Sequence, residues 1–210
     1  MKDAQRTGGK GEPVMVLGLT GGMACGKSAA GEAFCAEGFG SLDADDLVRE
    51  ILRSDSRVKR ALEDRFGSAV LTSGGEVDRA AVASIVFSST EELTWLEALL
   101  HPEVERLLLA RIAAEPRRNQ VVQVPLLFEI GMEGRFDATV CVAAAPGVRR
   151  ERIRARGLSE EEATARESRQ FPLEKKMELA DYVIVNDGSP RFLREEVREL
   201  LRILGVGGKP

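Results

Sequence analysis

Short apolar runs alternate with longer amphipathic segments along this chain. Five runs bounded by turn residues predict buried β-strands over residues 14–20, 39–42, 121–127, 138–144 and 182–185. Apolar residues at helical spacing predict helices over residues 27–37, 47–66, 90–114, 146–156, 159–179 and 192–204. Strands that alternate with helices predict an α/β fold, a parallel sheet with helices on both faces.

The interval from about Asp46 to Asn119 breaks this alternation. It is too long for a single crossover helix and contains no convincing strand. We therefore expect a helical substructure beside the sheet, where a second substrate would bind. Further along, Ser159 precedes three glutamates, which is typical of a helix N-cap followed by an acidic first turn.

Composition and charge narrow the class of protein. The net charge of -4 gives no general attraction to polyanions, so we expect no nucleic-acid partner. Cys25, Cys35 and Cys141 lack C-x-x-C spacing, which disfavours a disulfide framework or zinc site and fits a reducing cytoplasm. No apolar stretch is long enough for a membrane helix. Residues 1–13 are polar and glycine-rich and predict a flexible tail. We therefore expect a cytoplasmic protein of one domain over residues 14–210, without a membrane or an obligate protein partner.

The strongest motif is a phosphate-binding loop at residues 21–28, which matches G-x-x-x-x-G-K-[ST] directly after the first predicted strand. Glycines let backbone N–H groups approach phosphate oxygens, and Lys27 can reach the β- and γ-phosphates. Ser28 can supply a hydroxyl to Mg²⁺. A glycine-rich turn with a solvated lysine is the alternative, which the flanking strand and helix disfavour. The predicted ATP-binding residues here are Gly22, Met23, Ala24, Cys25, Gly26, Lys27, Ser28 and Ala29.

Carboxylates follow the second predicted strand, at the sheet edge where ligands bind in open α/β folds. Asp43 and Asp45 would share a face if the strand continued that far, and either could instead cap a helix. The spacing leaves these alternatives open. A carboxylate beside a transferred phosphoryl group can accept a proton or hold Mg²⁺ through water.

Five motifs in this order resemble the dephospho-CoA kinase family, and the resemblance runs from about residue 14 to residue 204. The motifs are Leu19-Thr20-Gly21-Gly22, Leu42-Asp43-Ala44-Asp45, Leu100-His101-Pro102, the VPLLFE segment at 124–129 and the ADYVIVN segment at 180–186. The resemblance implies a three-layer P-loop kinase fold with a five-stranded parallel sheet. It implies a core of about residues 14–45, 120–148 and 181–205, a helical CoA-side insertion of about 46–119 and a lid of about 149–180.

The resemblance also implies a reaction. Kinases of this family transfer the γ-phosphoryl group of ATP, with Mg²⁺, to the ribose 3′-hydroxyl of dephospho-CoA, the last step of coenzyme A synthesis. The family pattern places the catalytic base at Asp45, which acts with Lys27. It carries arginines at Arg152 and Arg156, which share one helix face and are expected to close over the phosphates. We interpret Arg149, Arg150 and Arg154 as surface residues.

Other positions match family segments with less specific roles. Asp43, His101, Pro125, Leu126 and Glu129 are expected on the acceptor side, although His101 could be a hydrogen-bonded core residue and Glu129 could cap the next turn. Asn186 and Gly188 are expected near the adenine, and a turn-forming role explains them nearly as well. Ala29 departs from the family pattern, in which a second hydroxyl commonly follows Ser28.

Three other functions share parts of this pattern. Another P-loop small-molecule kinase, acting on a nucleoside monophosphate or on shikimate, would also use a phosphate loop and lid arginines. A GTP-driven switch would need a guanine-reading N-K-x-D segment, which this sequence lacks. A nucleotide-binding regulatory protein would bind ATP without transferring phosphate to an acceptor.

Overall fold

The computed structural model of the chain describes residues 14–168 and 170–206, so the predicted tail at residues 1–13 lies outside the described part. Five strands are described there: β1 Val16–Gly21, β2 Gly40–Asp43, β3 Gln120–Gln123, β4 Ala138–Ala143 and β5 Tyr182–Val185. They form one sheet in the order β2-β3-β1-β4-β5, and every pairing in it is parallel. The predicted α/β fold with a five-stranded parallel sheet is therefore confirmed.

The described helices are α1 Lys27–Ala36, α2 Ala44–Ser54, α3 Ser56–Phe66, α4 Arg79–Val86, α5 Thr90–Ala114, α6 Pro146–Ala155, α7 Glu160–Glu167, α8 Leu173–Leu179 and α9 Pro190–Ile203. Two long predicted helices are each divided in two. Asp55 accepts hydrogen bonds from the backbone N–H groups of Arg57 and Val58, so it ends α2 and begins α3. Pro172 directly precedes α8 and separates it from α7.

The sheet is covered on both faces. Successive residues of β1 point to opposite faces, so its side chains show what packs on each of them. Leu17 and Leu19 join the main hydrophobic core with Phe34 of α1 and Val197 of α9. On the other face, a Cβ at Gly18 would touch the side chains of Phe136 and Leu127, and α8 also contacts β1 and β4. The result is the predicted arrangement of three layers.

The prediction that all five strands are buried is wrong for the two edge strands. β1 and β4 are buried along their whole length. In β5, Ile184 is 2% exposed whereas Val183 and Val185 are 37% and 42% exposed. Each edge strand has one neighbouring strand instead of two, so its side chains are less completely covered.

The chain divides into two compact units, one of residues 44–114 and one that contains the sheet. The unit of residues 44–114 consists of α2 to α5 and buries Leu62, Val82 and Leu108, among other apolar residues. Arg111 forms an ion pair with Glu50 at 2.7 Å, which joins α5 to α2. The second unit contains α1, α6 to α9 and the five strands.

Candidate active site

The phosphate loop joins the end of β1 to the start of α1. Ala24 has φ of +58° and Gly26 has φ of +94°, and such left-handed turns bring successive backbone N–H groups into a concave anion site. Gly26 is the N-cap of α1, and no side chain caps that end of the helix. The first N–H groups of α1 therefore remain available to phosphate oxygens.

Asn186, which follows β5, supports this loop from the side. Its Nδ2 donates to the carbonyl oxygen of Cys25 at 2.9 Å, and the residue is 5% exposed. A Cβ at position 26 would lie 2.1 Å from Asn186 Nδ2, so only glycine fits between the loop and this amide. The structure thus gives Asn186 a contact with the phosphate loop. Its predicted adenine contact stays a prediction, as does that of Gly188, where a Cβ would lie 2.9 Å from the Phe192 ring.

The ammonium of Lys27 lies at the first residues of the loop. Its Nζ donates to the carbonyl oxygens of Gly21 at 3.0 Å and Gly22 at 3.3 Å. These oxygens hold the cation over the part of the loop where a triphosphate would place its terminal groups.

Arg152 and Arg149, both on α6, contact different parts of the loop. Arg152 donates from Nη1 to the carbonyl oxygens of Ala24 and Cys25, each at 3.3 Å, and from Nη2 to that of Asn186 at 2.9 Å. Arg149 donates from Nε to the carbonyl oxygen of Met23 at 3.1 Å, and its side chain is 17% exposed. The surface interpretation of Arg149 is therefore wrong: positions 149 and 152 are three apart and share the helix face that meets the loop.

The other arginines of this segment lie farther from the loop contacts. Arg150 and Arg154 are exposed, as predicted. Arg156 is the C-cap residue of α6 and is also exposed. Among the described hydrogen bonds and ion pairs, none joins Arg156 to the loop, so its predicted catalytic role has no contact to support it.

The two candidate carboxylates occupy different elements. β2 ends at Asp43 and α2 begins at Ala44, so the strand does not continue to Asp45 and the alternation argument does not apply. Asp45 is exposed in the first turn of α2, where a carboxylate is favoured by the helix dipole. Asp43 is in register with Gln123 of β3, the strand next to β1. Asp43 therefore lies at the carboxyl ends of the strands, the same end of the sheet as the phosphate loop, and about 10 Å from β1.

The segment that follows β3 is held by a buried lysine of α8. The carbonyl oxygen of Pro125 accepts from Lys176 Nζ at 2.6 Å and from Thr20 Oγ1 at 3.2 Å. Glu129 Oε1 accepts from Lys176 Nζ at 2.9 Å and from the backbone N–H of Phe171 at 2.7 Å. Glu129 thus joins the segment after β3 to the segment that enters α8. Leu126, which follows Pro125 in the sequence, is half-buried.

Sequence reasoning did not single out Lys176. Its surroundings, Glu174, Lys175 and Glu178, are typical of a solvated helix face. The one signal in the sequence for its burial was its position four residues before Ala180, which places the two residues on one face of the helix that leads into β5. His101 lies half-buried within α5, in the unit of residues 44–114, directly before Pro102. Its acceptor-side role stays a prediction.

Two cysteines of the unit that contains the sheet, Cys25 and Cys141, are buried. Burial raises the pKa of the Cys25 thiol, in spite of the nearby Arg149 and Lys27 cations. Burial also raises the pKa of Cys141, in β4, to about 12. Both thiols are therefore protonated at neutral pH and poor nucleophiles, which leaves Cys25 as a small residue that fills space in the loop.

Oxygen donors suited to a hard divalent cation are present at the same edge of the sheet. Ser28 is exposed in the first turn of α1, and Asp43 ends β2. The described residues contain no cluster of three or more His, Cys, Asp or Glu side chains that could enclose a metal. Mg²⁺ commonly takes one or two protein oxygens and completes its shell with water and substrate phosphates, so this donor set fits Mg²⁺ that arrives with a nucleotide.

Comparison with known proteins agrees with this architecture. The dephospho-CoA kinase (CoaE) family model matches residues 15–191. The dephospho-CoA kinase of Syntrophotalea carbinolica is 38% identical over 200 residues, which cover 93% of this chain and 95% of that protein. A dephospho-CoA kinase of Thermus thermophilus is 39% identical over 196 residues, with coverage of 93% and 94%.

Two solved structures extend the comparison to the fold. The crystal structure of TT1252 from Thermus thermophilus has a TM-score of 0.79 and 38% identity, and it covers 92% of this chain and 99% of its own. The dephospho-CoA kinase from Campylobacter jejuni has a TM-score of 0.68 and 25% identity, with coverage of 90% and 96%. These matches favour the resemblance over the other kinases considered from the sequence. The chain therefore belongs to the dephospho-CoA kinase family, whose members use ATP to phosphorylate the ribose 3′-hydroxyl of dephospho-CoA in the final step of coenzyme A synthesis.

Proposed function

We propose that the phosphate loop binds the triphosphate of ATP, with the residues 22–29 predicted from the sequence as its contacts. The nest formed at Ala24 and Gly26 and the uncapped start of α1 support this assignment. Lys27 would exchange the carbonyl oxygens of Gly21 and Gly22 for the β- and γ-phosphates. Arg152 holds the loop carbonyls of Ala24 and Cys25 against Asn186, so we assign it to positioning the loop.

Asp45 is the proposed general base. The family pattern maps the base onto this position, and the carboxylate is exposed in the first turn of α2, two residues after the end of β2. In the reaction, the acceptor 3′-hydroxyl oxygen attacks the γ-phosphorus while Asp45 accepts the hydroxyl proton. The bond between the γ-phosphorus and the bridging β-oxygen breaks, and ADP leaves. Asp43 then serves the acceptor side.

Ser28 is the proposed protein ligand of Mg²⁺. When bound, the ion neutralises negative charge on the β- and γ-phosphates. The remaining stabilisation comes from Lys27 and the loop N–H groups, which are fixed before the reaction begins.

The acceptor-side assignments follow the expectations from the sequence. We assign the helical unit, residues 44–114 with His101, to dephospho-CoA, and the segment of Pro125, Leu126 and Glu129 to the same substrate. Residues 149–180 form the proposed lid, whose helix α6 contacts the loop through Arg149 and Arg152. Asn186 and Gly188 remain the proposed adenine contacts.

The cellular setting is part of the proposal. The described part of the chain contains no helix that is both long and apolar enough to cross a bilayer. All three cysteines are free thiols, which suits a reducing compartment such as the cytoplasm. The proposed partners are the two substrates, ATP and dephospho-CoA.

The decisive experiment is a transfer assay with Asp45→Asn. The purified chain is incubated with MgATP and dephospho-CoA, and 3′-phosphorylated product is measured by mass spectrometry. We expect the variant to keep its ATP affinity and lose at least about tenfold in turnover, because an amide cannot accept the proton. Asp46→Asn, an exposed neighbour on α2, is the matched control. Unchanged turnover in Asp45→Asn would remove the base assignment, and no product from the unaltered chain would remove the substrate assignment.

A further inference from the structure

A cavity of about 220 Å³ opens beside the first residues of the phosphate loop. It is lined by Gly22 and Met23 of the loop, by Arg149 and Glu167, and by the segment from Gln170 to Glu174. All of these residues belong to the unit that contains the sheet. The cavity is large enough for a phosphoryl group and its surroundings but too small for a whole nucleotide. Arg149 is the cationic side chain among these described lining residues.

The guanidinium of Arg149 lies directly against the loop. Its Cζ is 3.7 Å from the position that a Cβ on Gly22 would occupy, and its Nε bonds to the carbonyl oxygen of Met23 at 3.1 Å. Lys27 Nζ bonds to the carbonyl oxygens of Gly21 and Gly22, so both cations converge on the same end of the loop. This is the end where Lys27 meets the terminal phosphates in a P-loop protein.

Arg152 contacts a different part of the loop from Arg149, so the two arginines have different roles. Its three hydrogen bonds reach the carbonyl oxygens of Ala24, Cys25 and Asn186, in the second half of the loop and the turn after β5. Arg149 instead lines the cavity at the first half. Of the two, Arg149 is therefore the one placed for the transferred group.

A carboxylate holds Arg149 in this position. Arg149 Nη2 pairs with Glu167 of α7; the Arg149 side chain is 17% exposed and that of Glu167 is 38% exposed, so the guanidinium is the more buried of the two groups. Nε and Nη2 carry these two contacts, and the guanidinium fork has five N–H donors in total. The remaining donors have no hydrogen bond within the described part of the chain, so they can reach phosphoryl oxygens without release of Met23 or Glu167.

We propose that Arg149 contacts the γ-phosphoryl group during transfer, and that Glu167 fixes the guanidinium at the loop beforehand. This inference rests on the proposed phosphoryl transfer and adds to it the arginine that stabilises the transition state. Arg149 undergoes no covalent change. Its positive charge offsets the negative charge on the phosphoryl oxygens as the bond to the β-oxygen breaks.

The first test separates transition-state contact from substrate binding. Arg149→Gln is expected to lower kcat by about 100-fold and to change the KM for ATP by less than about threefold, because the lost contact is made in the transition state. Arg149→Lys is expected to recover part of the loss, since it keeps the charge but not the planar fork. Arg150→Gln, an exposed neighbour on α6, is the matched control and should retain full activity. Unchanged kcat in Arg149→Gln would overturn the inference.

The second test needs no turnover. Aluminium fluoride bound with MgADP imitates the transferring phosphoryl group, and calorimetry measures how much it tightens ADP binding. In Arg149→Gln we expect that tightening to fall by at least about tenfold while affinity for MgADP alone stays within about threefold. Equal weakening with and without aluminium fluoride would instead assign Arg149 to loop structure and overturn the inference.

Glu167→Gln distinguishes the same alternatives from the other side of the ion pair. If the pair served only to hold the lid, Glu167→Gln and Arg149→Gln would lower kcat equally. We expect the fold-decrease in kcat for Glu167→Gln to be less than about a tenth of that for Arg149→Gln, because the positive charge of Arg149 remains at the loop. Failure of the parent proposal is distinguishable, since the unaltered chain would then make no 3′-phosphorylated product at all.

Discussion

The ammonium of Lys176 lies 2.9 Å from Glu129 Oε1, although the Lys176 side chain has no exposed surface and that of Glu129 is only 11% exposed. The ammonium also donates to the carbonyl oxygen of Pro125 and to Gln170 Oε1 at 3.1 Å, so its three donors are satisfied. Glu129 Oε2, in contrast, is buried and has no hydrogen-bond partner among the described residues. Lys176 is therefore the cation that compensates this buried carboxylate.

Loss of Lys176 should destabilise the fold severely. In Lys176→Met the Glu129 carboxylate stays buried without its cation, and we expect the free energy of unfolding to fall by about 3–5 kcal/mol. Urea denaturation followed by circular dichroism measures the change. Lys175→Met, an exposed neighbour in the same helix, should cost less than about 0.5 kcal/mol.

The double variant Lys176→Met with Glu129→Met tests the cause. Because both charges are then removed together, we expect it to be more stable than the sum of the two single losses indicates. Additive losses would show that the two side chains act independently and that their charges are not coupled.

Gly26 offers a second prediction, because its backbone conformation and its neighbour both exclude a side chain. Gly38, in the turn before β2, has the same φ of +94°, but an added Cβ there would have no atom of the described residues within 4 Å. Gly38→Ala should therefore cost about 1–2 kcal/mol from backbone strain alone. Gly26→Ala should cost more and abolish ATP binding, because the new Cβ displaces Asn186 Nδ2 from the loop.

Unfolding experiments and calorimetry with ATP compare the two glycine variants directly. Equal losses of stability, together with normal ATP affinity in Gly26→Ala, would mean that the Asn186 contact does not shape the loop.

The buried thiols predict sensitivity to alkaline pH. Cys141 has its pKa raised from 9.0 to about 12 by burial. Between these two pH values the unfolded chain loses the proton while the folded chain retains it, so stability is intact below pH 9 and falls as the pH rises toward 12. The loss is on the order of 1 kcal/mol for each pH unit above 9. Cys25, whose pKa is also raised, acts in the same direction.

Guanidinium denaturation of Cys141→Ala at a series of alkaline pH values checks this origin. The variant should lose less stability per pH unit than the unaltered chain, whereas Cys35→Ala, at an exposed position, should lose as much. An identical pH slope in Cys141→Ala would assign the alkaline loss to other groups.

Much of the fold could be predicted because its signals are local. Helix α5 has the predicted bounds, Thr90–Ala114, and Ser159 is the N-cap of α7 as predicted; Glu162 completes a capping box with it. The phosphate loop follows β1 as expected. The break at Asp55 was also readable, since aspartate is a strong N-cap, but the apolar spacing on either side hid it. Helix α4 was not predicted.

The site contacts that sequence reasoning missed are all distant in the chain. Arg149 bonds to Met23 across 126 positions, and Lys176 bonds to Pro125 across 51. Each residue lies in a charged helical segment whose local pattern is that of a solvated surface. Only the contact of α6 with the phosphate loop and the packing of α8 on β1 and β4 distinguish these two cations from Arg150 and Lys175, their exposed neighbours.

The central position of β1 has a consequence for synthesis in the cell. Its neighbours in the sheet are β3 and β4, and the first contacts on the β3 side, such as that of Met15 with Asn119, join residues 104 positions apart. At a translation rate of about 5–20 residues per second, β1 waits roughly 5–20 s for its first partner strand. The helices of residues 44–114 are completed during that interval and can form their own contacts. The phosphate loop thus leaves the ribosome well before β3 and β4, and it acquires its working shape only after those strands have joined β1.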